Sequence, residues 1–449
     1  MTTRLAIVGG DAAGMSAAST ARRRDADLEV VAFERGPYTS YSACGIPYYV
    51  GGLFDDSDRL ISRSPEEHRA NGIAVHARTE VTAIDLGRRE LTVRDRQSGD
   101  ERVEGFDQLV VATGAEAVAP PIPGAGATEP ARTVDAAERF RAALSRGGDT
   151  AVVIGGGYIG LEMAEALVQR GLRTTLVEAA PQVMATLDAD MAAHVQDAAE
   201  GVGVRVLVGT PVEEVVLGDA GAPCAVRAGG ETLDADHVVM ATGVRPAVAL
   251  AEAAGLALGE TGALRVDDHQ RCAGHDGVFA AGDCAESWHR VLRQAVNVQL
   301  GTHANKQGRI AGANATGADL AFPGVVGTAV SRICRYEVAR TGISEREAAD
   351  AGIEVVAATI KDRTRAGYFP GAGPIWVKLV CEPSSGRLLG GQIVGVEGAA
   401  KRIDVLATCI WAELAVDEIE LLDLSYAPPF SGVYDPVLIA ARAAVGALS

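Results

Sequence analysis

One cysteine and two glycine turns carry the residue types best suited to chemistry. Cys44 stands in "TSYSACGIPYYVGG" (39–52), behind a serine and a tyrosine and ahead of glycine, proline and two tyrosines. A thiolate is a nucleophile and a carrier of electrons. The turn residues of "RGPYTSYS" and the run after Cys44 predict a helix start, where open amides and the macrodipole favour the anion. A cysteine can equally act as a small apolar filler, so its neighbours have to decide.

In "TAVVIGGGYIGLEMAEALVQRGLRTTLVEAA", Gly155, Gly157 and Gly160 fit GxGxxG directly after a strand-like run and ahead of a helical one. Glycine is required there because the turn is tight, the backbone must approach a pyrophosphate, and helix and strand must pack closely. Glu178 closes the next apolar run, where a carboxylate accepts hydrogen bonds from a ribose. The chain opens on the same plan in "RLAIVGGDAAGMSAASTARRRDADLEVVAFER": Gly9 and Gly14 take the outer positions, Glu34 follows Gly14 by 20 residues, and Asp11 fills the middle position. A carboxylate at Asp11 would repel a pyrophosphate unless it points away. Three further strand-like runs end in turns: "FDQLVVATGA" at Thr113 and Gly114, "ADHVVMATGVRP" at Thr242 and Gly243, and "DGVFAAGDCAE" at Asp283. The pattern predicts two strand–turn–helix–strand units of the dinucleotide-binding type.

In this order the motifs resemble those of the FAD- and pyridine-nucleotide-dependent disulfide oxidoreductases along the whole chain. The resemblance implies FAD on the first unit, with Gly9, Gly14, Glu34, Thr113, Gly114 and Asp283. It implies NADH, or else NADPH, on the second, with Gly155, Gly157, Gly160, Glu178 and Gly243. The absence of a cationic residue in the four positions after Glu178 favours NADH. Two-cysteine members carry CxxxxC, but here Tyr49 stands five residues beyond Cys44, and no histidine follows His303. A relay of the glutathione-reductase type is thereby excluded.

What remains resembles the single-cysteine branch: coenzyme A-disulfide reductases, persulfide or polysulfide reductases, NADH oxidases and NADH peroxidases. That branch usually has asparagine before the cysteine, where this chain has Ala43; its oxygen- and peroxide-reducing members carry a histidine where this chain has Ala12. "RAGYFPG" with Tyr368 and "DLSYAPPFSGVYDP" with Tyr426 match segments whose tyrosines approach the substrate sulfur of the partner subunit. A phenol there could donate to a departing thiolate. Ser16, Thr20, Arg23 and Ser40 align with coenzyme A contacts, although a solvated helix end explains "ARRR" (21–24) as well. The resemblance implies a homodimeric flavoenzyme with Cys44, Tyr368 and Tyr426 at its catalytic centre, reducing a small disulfide or persulfide, coenzyme A disulfide above all. An oxidase or peroxidase cycling through a cysteine sulfenic acid, an electron-transfer flavoprotein serving a protein partner, and an NADH sensor stay open.

The elements that must position these residues follow from composition and order. A chain of 449 residues suggests about three domains, and 48% hydrophobic with only 4% aromatic residues reads as an Ala/Gly/Val-rich α/β protein. With 41 basic against 59 acidic residues, the formal charge of −18 opposes binding to nucleic acid or an anionic membrane. No signal-peptide pattern and no run near the ~20 apolar residues of a membrane span is seen, so a soluble, cytoplasmic protein is expected. Seven scattered cysteines with no CxxC pair argue against a disulfide framework and against a metal site. The expected fold is α/β: two Rossmann-like dinucleotide-binding domains plus a C-terminal α+β dimerisation domain. FAD binding is assigned to 1–113 and 245–322, NAD(P)H binding to 114–244 after "AVAPPIPG", and dimerisation to 323–449.

Overall fold

The computed structural model describes residues 3–128 and 132–449. The chain forms two compact units, one of Met1–Ile46, Asp56–Val118 and Val244–Val325, the other of Pro47–Asp55, Ala119–Gly243 and Val326–Ser449.

The first unit is built on five parallel strands in the order Val278–Ala280, Gln108–Val111, Arg4–Val8, Glu29–Phe33, Ala74–His76. Ala6 pairs with Val31 on one side and Leu109 on the other. These strands read as continuous apolar runs because a parallel sheet is covered on both faces, and Leu5, Ile7, Leu109 and Val110 have no exposed surface. The helix Ala12–Arg24 follows the first strand and lies against the helix Gly301–Asn314. Their backbones nearly touch: a methyl group on Gly308 would fall 2.1 Å from the Ala13 carbonyl, and one on Gly312 2.2 Å from that of Ala17. Arg22, Arg23 and Arg24 close the first helix, where cations complement its dipole.

The second unit holds a parallel sheet in the order Arg205–Leu207, Arg173–Val177, Thr150–Ile154, His237–Met240, with the helix Tyr158–Gln169 following its central strand. It also holds an antiparallel sheet in the order Ala329–Ile333, Tyr336–Gly342, Leu388–Gly395, Pro374–Cys381, Val356–Arg363. The helices Ile403–Trp411 and Pro436–Leu448 pack on this sheet. The nucleotide-type segment and the C-terminal segment, expected as separate domains, therefore keep separate sheets within one unit. A buried cation joins them. Lys378 Nζ lies 3.3 Å from Asp188 and 2.8 Å from Asp190 and also meets Glu345, while Gln392 donates to Asp188 at 2.6 Å.

Candidate functional site

The two glycine turns adopt one geometry. After the strand Arg4–Val8, Gly9 takes φ +112°, and a methyl group there would fall 2.1 Å from the Ala112 carbonyl. A methyl group on Gly14 would fall 1.9 Å from the Gly9 carbonyl. Both positions therefore admit only glycine. In the second turn Gly155 takes φ +108°, and a methyl group on Gly160 would fall 1.8 Å from the Gly155 carbonyl. Gly157 differs, because a Cβ there would meet nothing within 4 Å. That open side at the start of the helix Tyr158–Gln169 is the space a pyrophosphate needs against backbone amides.

The acids at the ends of the second strands match as well. Glu34 accepts the amides of Gly10 and Gly36, each at 2.7 Å. Glu178 accepts those of Gly156 at 2.5 Å and Ala180 at 2.7 Å. A carboxylate has about four acceptor sites, so each acid keeps capacity for ribose hydroxyls. Glu34 lines a cavity of about 220 Å³ together with Val8, Gly9, Phe33, Thr113 and Ala247. Thr113 Oγ1 donates to the Ala247 carbonyl at 2.7 Å, and Gly114 and Gly243 turn at φ +71° and +93° with nothing near their Cα faces. Asp283 follows the strand Val278–Ala280, and its carbonyl accepts Asn297 Nδ2 at 2.9 Å. The residues of the first unit thus fit the adenosine and diphosphate of FAD, and those of the second fit a nicotinamide dinucleotide.

Asp11 caps the helix Ala12–Arg24 without bonding its amides in the usual capping manner. Its Oδ1 instead accepts the Tyr41 amide at 3.2 Å. Burial pushes this carboxyl up to about 6, with Glu34 and Asp283 adding like charge and the Tyr41 and Ala12 amides opposing. The Tyr41 bond ties the first glycine turn to the segment leading to Cys44. That segment is fixed further by Ser40 N to the Gly10 carbonyl at 3.1 Å and Ser42 N to the Leu60 carbonyl at 2.8 Å.

Cys44 is exposed, in the single 3-10 turn Ala43–Gly45 directly ahead of the helix Ile46–Gly51. The chain after it is pinned by Arg141, which donates to the Tyr49 and Phe54 carbonyls at 3.2 and 2.8 Å, and by Arg170, which donates to Val50 at 2.8 Å. Of the other cysteines only Cys224 is exposed. Cys284, beside Asp283, has no exposed surface, its thiol is pushed up by burial, and it points at the Ala281 carbonyl at 3.4 Å. It packs.

Ser16, Thr20 and Arg23 fall at i, i+4 and i+7 of one helix and share a face. Arg23 is exposed and donates to Thr20 at 3.4 Å, and Ser16 donates to Asn305 at 2.6 Å. Ser40 adopts φ +48° and meets His68 Nε2 at 3.0 Å. Tyr368 and Tyr426 lie in the second unit, 79% and 48% exposed. Their segments are held together: Ala366 N donates to the Pro428 carbonyl at 3.2 Å, and Arg402 donates to Thr364 and Phe430 carbonyls at 2.9 and 2.7 Å. Phe430, Val433 and Tyr434 are exposed in the same stretch. Among the described residues, the only cluster with metal-ligand spacing is the run of exposed Asp267 and Asp268 with half-buried His269, and no helix is long and apolar enough to cross a membrane.

Sequence reading missed Asn305, Asn297 and His68. Each reaches its partner only through tertiary packing. Tyr158 was within reach, since it lies inside the GxGxxG motif; its hydroxyl is buried, and burial pushes its ionisation up against a side-chain interaction with Thr186.

Comparison with known proteins agrees with this geometry. Residues 3–308 match the family model of the pyridine nucleotide-disulphide oxidoreductases, and residues 328–436 match the dimerisation domain of the same family. The NAD(P)H coenzyme A polysulfide/persulfide reductase of Pyrococcus horikoshii is 36% identical, covering 98% of each chain. An NADH oxidase of Methanocaldococcus jannaschii is also 36% identical, over 99% of each chain. The solved NAD-dependent persulfide reductase from A. fulgidus superposes with a TM-score of 0.95 at 38% identity, covering 99% of this chain and 83% of that one.

Proposed function

The chain belongs to the pyridine nucleotide-disulphide oxidoreductases, FAD- and NAD(P)H-dependent enzymes, and from that premise we propose that it reduces a low-molecular-weight disulfide or persulfide, coenzyme A disulfide first, through Cys44 alone. The observation that carries this reading is the position of Cys44, an exposed thiol on a segment hydrogen-bonded to the first glycine turn. The similarity to a coenzyme A polysulfide/persulfide reductase over nearly the whole chain supports the same substrate class.

FAD, when bound, would supply the two electrons that the nicotinamide donates as hydride. Gly9, Gly14, Glu34, Thr113, Gly114 and Asp283 would hold FAD, and Gly155, Gly157, Gly160, Glu178 and Gly243 would hold the nicotinamide dinucleotide. Cys44 enters each cycle as a mixed disulfide with a small thiol. Two electrons break that S–S bond, leaving the Cys44 thiolate and a departing thiolate that takes a proton. The Cys44 thiolate then attacks a fresh disulfide, restores the mixed disulfide and releases the second thiol. One NAD(P)H and one proton thus convert one disulfide to two thiols.

Ser16, Thr20, Arg23 and Ser40 bind the coenzyme A portion, and Arg23 supplies a local cation in a chain of charge −18. A homodimer brings Tyr368 and Tyr426 to the partner's Cys44, where a phenol donates to the departing thiolate. In the oxygen- and peroxide-reducing members a histidine at the position of Ala12 can protonate a leaving oxygen, and Ala12 cannot.

The test is intact mass of the purified protein with and without a reductant, paired with thiol release per NADH. A reducible small-thiol adduct on Cys44 and two thiols per NADH from coenzyme A disulfide support the reading. An unmodified or sulfenic Cys44, with oxygen consumed at the rate of NADH oxidation, sinks it.

A further inference from the structure

Asp11 occupies the middle position of the first GxGxxG, where backbone approaches a dinucleotide's diphosphate. A third carboxylate there is electrostatically awkward. Glu34, at the end of the strand Glu29–Phe33, and Asp283, after the strand Val278–Ala280, both act on Asp11 with like charge. From the loop ahead of Cys44 the Tyr41 amide faces it, and from its own helix the Ala12 amide. Glu34 is satisfied by two amides at 2.7 Å, whereas the Tyr41 amide reaches Asp11 only at 3.2 Å. The N-terminus of the helix Ala12–Arg24 favours negative charge, and Asp11 and a diphosphate draw on the same end.

We propose that Asp11 couples FAD binding to the uptake of one proton: this chain holds FAD with the Asp11 carboxyl neutral, so its affinity for FAD falls as pH rises. In the balanced step, the ionised carboxyl, one proton and FAD give the neutral carboxyl and bound FAD; no electron moves. A neutral carboxyl still accepts the Tyr41 amide through its carbonyl oxygen, so the tie to the Cys44 segment survives. Burial already lifts Asp11 to about 6 before the diphosphate's charge is added, which brings proton uptake into the neutral range. The sign follows. A group whose pKa rises on binding favours the complex fully below its unbound value, and that advantage is lost as pH climbs through the bound value. The inference rests on FAD binding by this family and is independent of which disulfide is reduced.

The experiment is serial dilution of the FAD-loaded full chain between about pH 6 and pH 8, with released FAD read by its fluorescence. With an unbound value of about 6 and a bound carboxyl that stays neutral, the wild-type dissociation constant should rise about fiftyfold across that range. Asp11→Asn keeps an acceptor for Tyr41 and removes the charge, so its dissociation constant should be flat with pH and lower than wild type's at the alkaline end. Asp11→Gly, which restores glycine at the motif's centre, should be equally flat and serves if the asparagine variant does not fold. A wild-type constant that does not change with pH, or variants that keep the wild-type slope, overturns the proposal.

Discussion

The Glu178 carboxylate accepts the Gly156 amide at 2.5 Å, which fixes the acid across the second glycine turn. A carboxylate in that place would receive ribose hydroxyls and repel a 2′-phosphate. The four following residues, Ala179, Ala180, Pro181 and Gln182, bring no cation. Wild type should therefore show a higher kcat/KM with NADH than with NADPH. Glu178→Ala should narrow that ratio by about tenfold, equivalent to ~1.4 kcal/mol. Steady-state kinetics with both donors decide it, and an equal or higher wild-type value with NADPH contradicts the assignment.

Lys378, with a side chain only 6% exposed, sits among Asp188, Asp190 and Glu345 and joins the two sheets of the second unit. Removing Lys378 leaves the buried Asp188 uncompensated, at a cost toward the lower end of the ~3–5 kcal/mol of a fully buried pair because Asp190 and Glu345 are about half exposed. Lys378→Ala should lower Tm clearly, whereas Lys401→Ala at an exposed pair should barely change it. Asp190 is held below the usual carboxylate range by the Lys378 bond and charge, which outweigh burial. Its contribution is present above the unfolded carboxylate's value and is lost as pH falls through the depressed one. Lys378 is raised by the same acids against its own burial, so its contribution disappears only as pH rises through its raised value. Thermal melts across pH should show wild type losing its advantage over Lys378→Ala on both the acid and the far alkaline side.

Arg402 donates to the Thr364 and Phe430 carbonyls and so ties together the loops carrying the exposed Tyr368 and Tyr426, on the segment that matches a dimerisation domain. The protein should sediment as a homodimer. Tyr426→Phe should slow disulfide turnover about tenfold or more through loss of a donor to a departing thiolate. Flavin reduction by NADH should stay near wild type, because that half-reaction needs no phenol. A fully active monomer, or equal loss in both half-reactions, removes Tyr426 from the sulfur chemistry.

Much of this was legible in sequence because it depends on short-range geometry. Gly9, Gly14, Gly155 and Gly160 are glycine because a methyl group would collide with a carbonyl a few residues away or on the adjoining strand, and such requirements leave a fixed spacing. Glu34 and Glu178 end strands whose apolar runs announce them. Arg141, Asn305 and His68 left no such trace, since their partners are brought in from 92, 289 and 28 residues away. Asp11 shows both sides. Its misfit with a pyrophosphate is visible in the motif, but its bond to Tyr41 depends on a loop path no local pattern encodes. The joining of the nucleotide-type and C-terminal segments into one unit was hidden for the same reason, because Lys378 and Asp188 are 190 residues apart in sequence.

The central claim is that Cys44 alone relays electrons to sulfur, and Cys44→Ser tests it most directly. The variant should retain FAD and be reduced by NADH at close to the wild-type rate, because neither step uses the thiol. Its NADH-dependent turnover of coenzyme A disulfide or persulfide should fall by about three orders of magnitude or more, since a hydroxyl forms no mixed disulfide. Wild type reduced with one equivalent of NADH should show long-wavelength thiolate-to-flavin absorbance, and the variant should not. A serine variant that turns over these substrates at the wild-type rate would make Cys44 a packing residue and contradict the account.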